Sequence, residues 1–143
     1  MTLREILITK GTEVYCTSPD ATLKQVTELL VEHNCGALVV VREDSDRPLV
    51  GIITERDLMR ASAGGQSLEH TRADEVMTQD VVTGLPDDSV NRTMGVMTDR
   101  RIRHLPILDE DQLVGLISIG DIVKAQFNAV CAENHHLKTY IHG

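Results

Sequence analysis

Aromatic side chains are almost missing from this chain: tryptophan is absent, and Tyr15, Phe127 and Tyr140 are the whole complement. A core must therefore be built from Val, Ile, Leu and Met, and the scarcity argues against the aromatic platforms on which proteins stack single-stranded nucleic acid. Positive charge is scarce as well. Lys and Arg number 14 against 22 Asp and Glu, a formal net charge of −8. Attraction to a polyanion is disfavoured, so no nucleic-acid partner is expected. No apolar run approaches the ~20 residues of a membrane span, and Met1 to Lys10 is amphipathic and carries Glu5, so neither membrane anchor nor secretory leader is read. Cys16, Cys35 and Cys131 are odd in number, far apart and without metal-ligand spacing. Small thiols, buried or half-buried in a reducing cytoplasmic compartment, are the expectation.

What is present is the composition of a globular protein, 41% hydrophobic and 25% charged, in a length that suits one domain or two small repeats sharing a core. Internal comparison decides for repeats. With a shift of 67 positions, Val14 falls on Val81, Pro19 on Pro86, Asp20 on Asp87, Leu30 on Met97, Leu38 on Leu105 and Val40 on Ile107. Beyond them, residues 51–60 match 115–124 at a shift of 64. The polar stretch Arg42 to Pro48 is longer than its counterpart Asp109 to Gln112, so a shorter second hairpin accounts for the change of register.

Each copy predicts the same elements. A short strand near Val14 to Thr17, or Val81 to Thr83, ends at a Pro-Asp turn. A helix follows, opened in the first copy by the capping-box pattern Thr22-Leu-Lys-Gln25, with Leu23, Val26, Leu29 and Leu30 at helical spacing. The apolar runs Ala37 to Val41 and Leu49 to Ile53 predict strands covered on both faces and joined by a hairpin. A second helix starts near Thr54 or Ser118. The fold class is α+β, two β-α-β-β-α repeats packed as a pseudo-two-fold pair, because one unit alone buries too little apolar surface. Residues 1–62 form the first repeat, 63–74 a linker containing Gly64-Gly65, 75–128 the second repeat, and 129–143 a polar, His-rich tail.

These residues resemble a tandem pair of cystathionine-β-synthase (CBS) domains of the stand-alone bacterial type. The resemblance rests on the Gly-strand-Thr/Ser-x-x-Asp elements Gly51 to Asp57 and Gly115 to Asp121, and on the strand Arg103-His104-Leu105-Pro106-Ile107. It implies a regulatory module that binds an adenosine-containing ligand (AMP, ADP, ATP, NAD or S-adenosylmethionine) in clefts between repeats, pairs as a homodimer and passes its signal to an unidentified regulated protein. No catalytic cofactor and no metal are implied. Thr17, Ala37, Leu38, Thr83, Leu105 and Pro106 are the cleft-wall positions that it assigns to the base.

Thr54-Glu55-Arg56-Asp57 also has a purely local reading, a Thr N-cap with an acid at the third helical position. The two roles are compatible. An Asp beside a strand end can accept hydrogen bonds from both ribose hydroxyls, with the Thr54 or Ser118 hydroxyl a turn away, and a helix N-terminus favours an anion. Asp57 and Asp121 are thus the ribose candidates. Arg100, Arg101, Arg103 and His104 cluster where a helix ends and a strand begins. Arg101, Arg103 and His104, with Arg56, are the phosphate candidates, His104 gaining charge as pH falls towards 6. The copies differ here: Gly120 stands where the first has Arg56, and Gly36-Ala37 where the second has Arg103-His104. The clefts need not be equivalent.

Enzyme readings find no support, since Gly-x-Ser-x-Gly, a Walker loop and His-Glu-x-x-His are all missing. The chain is expected to be no enzyme. His135, His136 and His142 are read as part of the tail rather than as metal ligands. A structural dimerisation module without ligand, and a nucleotide hydrolase, are the rival functions.

Overall fold

A computed structural model describes residues 1–45 and 48–142, with side chains as far as residue 134. In chain order the elements are α1 (Leu3–Lys10), β1 (Cys16–Thr17), α2 (Leu23–His33), β2 (Ala37–Val41), β3 (Leu49–Thr54), α3 (Glu55–Ala63), α4 (Ala73–Val76), α5 (Val90–Arg100), β4 (His104–Asp109), β5 (Gln112–Ser118) and α6 (Ile119–His142). The first sheet has the order β1-β2-β3, with β1 parallel and β3 antiparallel to β2. The second has β4 antiparallel to β5. Helix starts follow the side-chain chemistry. Thr22 accepts from the Gln25 amide at 3.1 Å while Gln25 accepts from the Thr22 amide at 2.9 Å, so two orphan donors of α2 are satisfied reciprocally.

The strand expected over Val81 to Thr83 is reduced to a single parallel bridge, Gly84 to Ile107. Proline explains the loss. In the first copy the Val39 amide donates to the Tyr15 carbonyl at 3.1 Å. Pro106 occupies the corresponding place in β4 and has no N–H to give. The second hairpin is short as expected: Glu110 and Asp111 both lie at positive φ, 51° and 64°, the backbone of a two-residue I′ turn.

Packing does not follow the chain order on which the spans 1–62, 63–74 and 75–128 rest. Leu3, Ile6 and Leu7 of α1 are buried with Val90, Met97, Leu105, Ile107, Ile117 and Ile122, in the core of the second repeat. Conversely, Ala73 of α4 is buried with Leu23, Val26, Leu30, Leu38, Val40, Ile53 and Leu58 of the first. Backbone hydrogen bonds fix both docks: Leu3 and Arg4 donate to the Asp88 and Pro86 carbonyls, Ala73 and Asp74 to those of Ala21 and Pro19. Each lead-in helix thus crosses to the other half. Two glycines permit the crossing. A Cβ at Gly51 would fall on Met77, and one at Gly115 on Leu7.

Two further expectations change. The span 129–143, expected as a tail, continues α6 as far as His142, although the side chains of His135, His136 and His142 lie outside the described residues. Cys16 and Cys131 are exposed and only Cys35 is half-buried; the second helices use Ile122 for burial, and β1 is a two-residue edge too short to cover Cys16. Among the described residues no helix is long and apolar enough to cross a membrane.

Candidate functional site: two unequal clefts

The crossed packing brings the C-terminal end of β3 and the start of α3 against the loop between α5 and β4, and likewise the end of β5 against the loop between α2 and β2. The first cleft is lined by Thr54, Glu55, Arg56, Asp57 and Arg60 from one copy and by Val81, Val82, Arg101, Ile102, Arg103 and His104 from the other. The second is lined by Ser118 and Asp121 with Lys10, Glu13, Val14, Tyr15, His33 and the segment Asn34 to Ala37. Under the repeat relation Val14 answers to Val81, Asn34 to Arg101, Gly36 to Arg103 and Ala37 to His104, so the clefts are pseudo-equivalent. They hold roughly 200 and 370 Å³ of space, so room does not favour the first.

Both aspartates serve as helix caps. The Thr54 amide donates to Asp57 Oδ2 at 2.9 Å, and the Ser118 amide to Asp121 Oδ2 at 2.8 Å. Oδ1 of each makes no hydrogen bond among the described residues. Asp121 is further engaged: Lys10 Nζ sits 2.5 Å from its Oδ2 and also donates to the Leu116 carbonyl. Burial pushes the Asp121 carboxyl up, but hydrogen bonds from Lys10 and Ser118, together with the Lys10 charge, outweigh it and hold the group below the usual carboxylate range. Asp57 has no such cation, and no described residue forms an ion pair with it.

The basic residues that the two copies hold separately meet in one place. Arg56 from α3 and Arg101, Arg103 and His104 from the second copy all line the first cleft. The second cleft has Gly36, Ala37 and Asn34 at the matching positions, and Gly120 lies beside it where Arg56 would be. Among the described residues Arg56, Arg60, Arg101 and Arg103 make no ion pair, whereas Arg4, Lys10, Lys24 and Arg72 do. Arg101 ends α5 in the left-handed conformation, φ 56°. Its counterpart Asn34 adopts φ 49°, where Asn is well tolerated and Arg is not.

His104 borders both clefts. It packs on Gly36, where an added Cβ would come within 3.3 Å of its Nε2. Burial lowers its pKa and repulsion from Lys10 and Arg103 adds to this, against the attraction of Glu55 and Asp121. Its charging in the free chain is therefore displaced below the ordinary imidazole value.

Of the cleft-wall positions, Ala37 lines the second cleft, but Leu38 and Leu105 are buried in the two cores. Pro106 is buried in β4, Thr83 is exposed and lines neither cleft, and Thr17 lines a separate groove with Pro19 and Arg42. The walls are made instead by Ile52, Val81, Val82 and Ile102 in the first cleft and by Val14 and Tyr15, the latter stacked on His33 at 3.8 Å, in the second. Arg60 was not singled out from sequence, although its place one turn after Arg56 on α3 is a signal that puts it on the same face. No group of three or more His, Cys, Asp or Glu able to hold a metal occurs among the described residues.

The family pattern of the CBS domain matches residues 3–64 and 73–128. The chain belongs to the CBS-domain family. A mitochondrial CBS domain-containing protein of Arabidopsis thaliana is 38% identical over 136 residues, which are 93% of this chain and 66% of that protein. About a third of the Arabidopsis protein therefore lies outside the match. A protein with CBS domains from Burkholderia ambifaria is 38% identical, with a TM-score of 0.82 over 87% of this chain and 93% of that one. A CBS domain protein of Pyrobaculum aerophilum, solved in complex with AMP, is 26% identical with a TM-score of 0.76 over 85% and 89% of the two chains.

Proposed function

We propose that this chain is a regulatory CBS pair that takes an adenine nucleotide in the first cleft and relays occupancy to a partner protein by population shift. The observation that carries the reading is that Arg56, Arg60, Arg101 and Arg103, none in an ion pair among the described residues, line one cleft with Asp57, in a chain of net charge −8. Unpaired guanidinium groups at a helix start form a site for phosphate oxygens. Asp57, supported by Thr54, grips the ribose diol; Arg56, Arg101, Arg103 and His104 take phosphate; Ile52, Val81 and Val82 cover the base. The AMP complex of the Pyrobaculum relative supports the ligand class. The ligand undergoes no chemistry in this reading, and product analysis after prolonged incubation with ATP tests that.

Calorimetry is the main test. AMP and NAD bind. NADP binds much more weakly through its adenosine end, because its 2′-phosphate meets Asp57 and removes half the diol. Adenosine is a poor ligand, and raised salt weakens AMP. Asp57→Ala lowers AMP affinity several-fold or more, while loss of the acid near the α3 start costs only about 0.3–1 kcal/mol of stability. NADP binding as tightly as NAD overturns the ribose role of Asp57.

A further inference from the structure

Lys10 distinguishes the clefts in a way that their shared motif does not foretell. Its ammonium bonds both the Asp121 carboxylate, at 2.5 Å, and the Leu116 carbonyl on the exposed edge of β5. In the first cleft the corresponding edge carbonyl, Ile52, is satisfied by backbone instead: the Thr78 amide donates to it at 2.9 Å. The difference follows from the lengths of the two lead-in helices. α4 stops at Val76, and the chain runs on to pair with β3; α1 continues to Lys10, so a side chain does the work that backbone does in the other half. Asp80 stands where alignment of Leu7 with Met77 would put a second Lys10.

We propose that Lys10 is an internal occupant of the second cleft, holding the ribose-gripping carboxylate of Asp121 and restricting the chain to one nucleotide, in the first cleft. This rests on the adenine-nucleotide reading above. A diol entering the second cleft must displace a charge-assisted hydrogen bond from Asp121 and leave the Leu116 carbonyl to water. It finds none of the four arginines in compensation. With Lys10 removed, the cleft is acidic, lined by Glu13 and Asp121 and walled by Tyr15, so it suits an uncharged nucleoside better than a phosphate ester.

Calorimetry with AMP and adenosine on four proteins tests this: the native chain, Asp57→Ala, Lys10→Met, and the double variant Asp57→Ala/Lys10→Met, with Lys10→Gln as a second replacement should Met perturb α1. Thermal unfolding verifies that each is folded. The native chain takes one AMP, and Asp57→Ala binds AMP several-fold or more weakly and adenosine no better than the native chain does. The double variant takes adenosine, with a gain of several-fold to about tenfold over Asp57→Ala. Two equivalent AMP molecules per native chain overturn the proposal. So does an Asp57→Ala chain that binds adenosine as tightly as the double variant, or a double variant that gains nothing while native protein binds AMP. Failure of all four proteins to bind either ligand overturns the adenine-nucleotide reading itself, and this inference with it.

Discussion

Arg101 and Asn34 terminate equivalent helices in the same left-handed backbone conformation, yet only one of them is a residue that accepts it readily. The cost of a non-glycine, non-Asx side chain there is of order 1 kcal/mol, and it falls at a residue that faces the basic cleft. Arg101→Asn should therefore stabilise the chain by about 1 kcal/mol in denaturant unfolding while weakening AMP several-fold in calorimetry. A variant that gains stability and keeps full affinity removes Arg101 from the phosphate contacts. His104 gives a second residue-level expectation. Its folded pKa lies below its unfolded value of ~6.5. The stability it contributes is complete above that value and is lost as pH falls through the lower folded one. Thermal unfolding between pH 5 and 7.5 should show the native midpoint falling more steeply with acid than that of His104→Gln. Asp121 titrates in the same direction, but only below about pH 4, where an ordinary carboxyl protonates.

At the scale of elements, the crossed lead-in helices make α1 part of the second core although it begins the first repeat. Leu3 is fully buried there, so Leu3→Ala should cost about 2–5 kcal/mol, read by denaturant unfolding. Little loss would mean that α1 docks without contributing to stability. What could be read beforehand and what could not divide along the same line. Caps such as Thr22-Gln25 and Thr54-Asp57 are written within four residues, and the repeats declare themselves through paired apolar positions. The docking of α1 is different: an amphipathic stretch shows that Leu3, Ile6 and Leu7 seek a core but not which one. In sequence Arg56 and Arg103 are basic residues of separate halves, and only the fold brings them into one cleft. For Lys10, nothing in its neighbours in sequence points to Leu116 or Asp121. Pro106, by contrast, was visible throughout, and its missing N–H could have announced the lost strand.

For the whole molecule, the apolar residues left uncovered on the second helices are the surface on which a second copy is expected. Among the apolar helix residues, Val26, Leu30, Leu58 and Ile122 are buried, but Met59 is 71% and Val123 51% exposed. These two occupy equivalent positions in α3 and α6, and Phe127 and Val130 extend the surface along α6. A homodimer closing over this face is expected. Light scattering at micromolar concentration should report a dimer for the native chain and a monomer for Met59→Glu/Val123→Glu. A dimer that survives both charges would place the contact elsewhere.

The exchange of lead-in helices also sets an order of events during synthesis. Leu3, Ile6 and Leu7 leave the ribosome first, but their partners Ile107, Ile117 and Ile122 are polymerised about a hundred positions later or more. At ~5–20 residues per second that interval is on the order of ten seconds, during which α1 has no core to join. The first half meanwhile needs nothing later than Ala73 and Met77 to complete its core. It can therefore close once these two have emerged, while the second half must wait for Ile117 and Ile122 and then recover α1 from the far end of the chain, a slow long-range closure of high contact order.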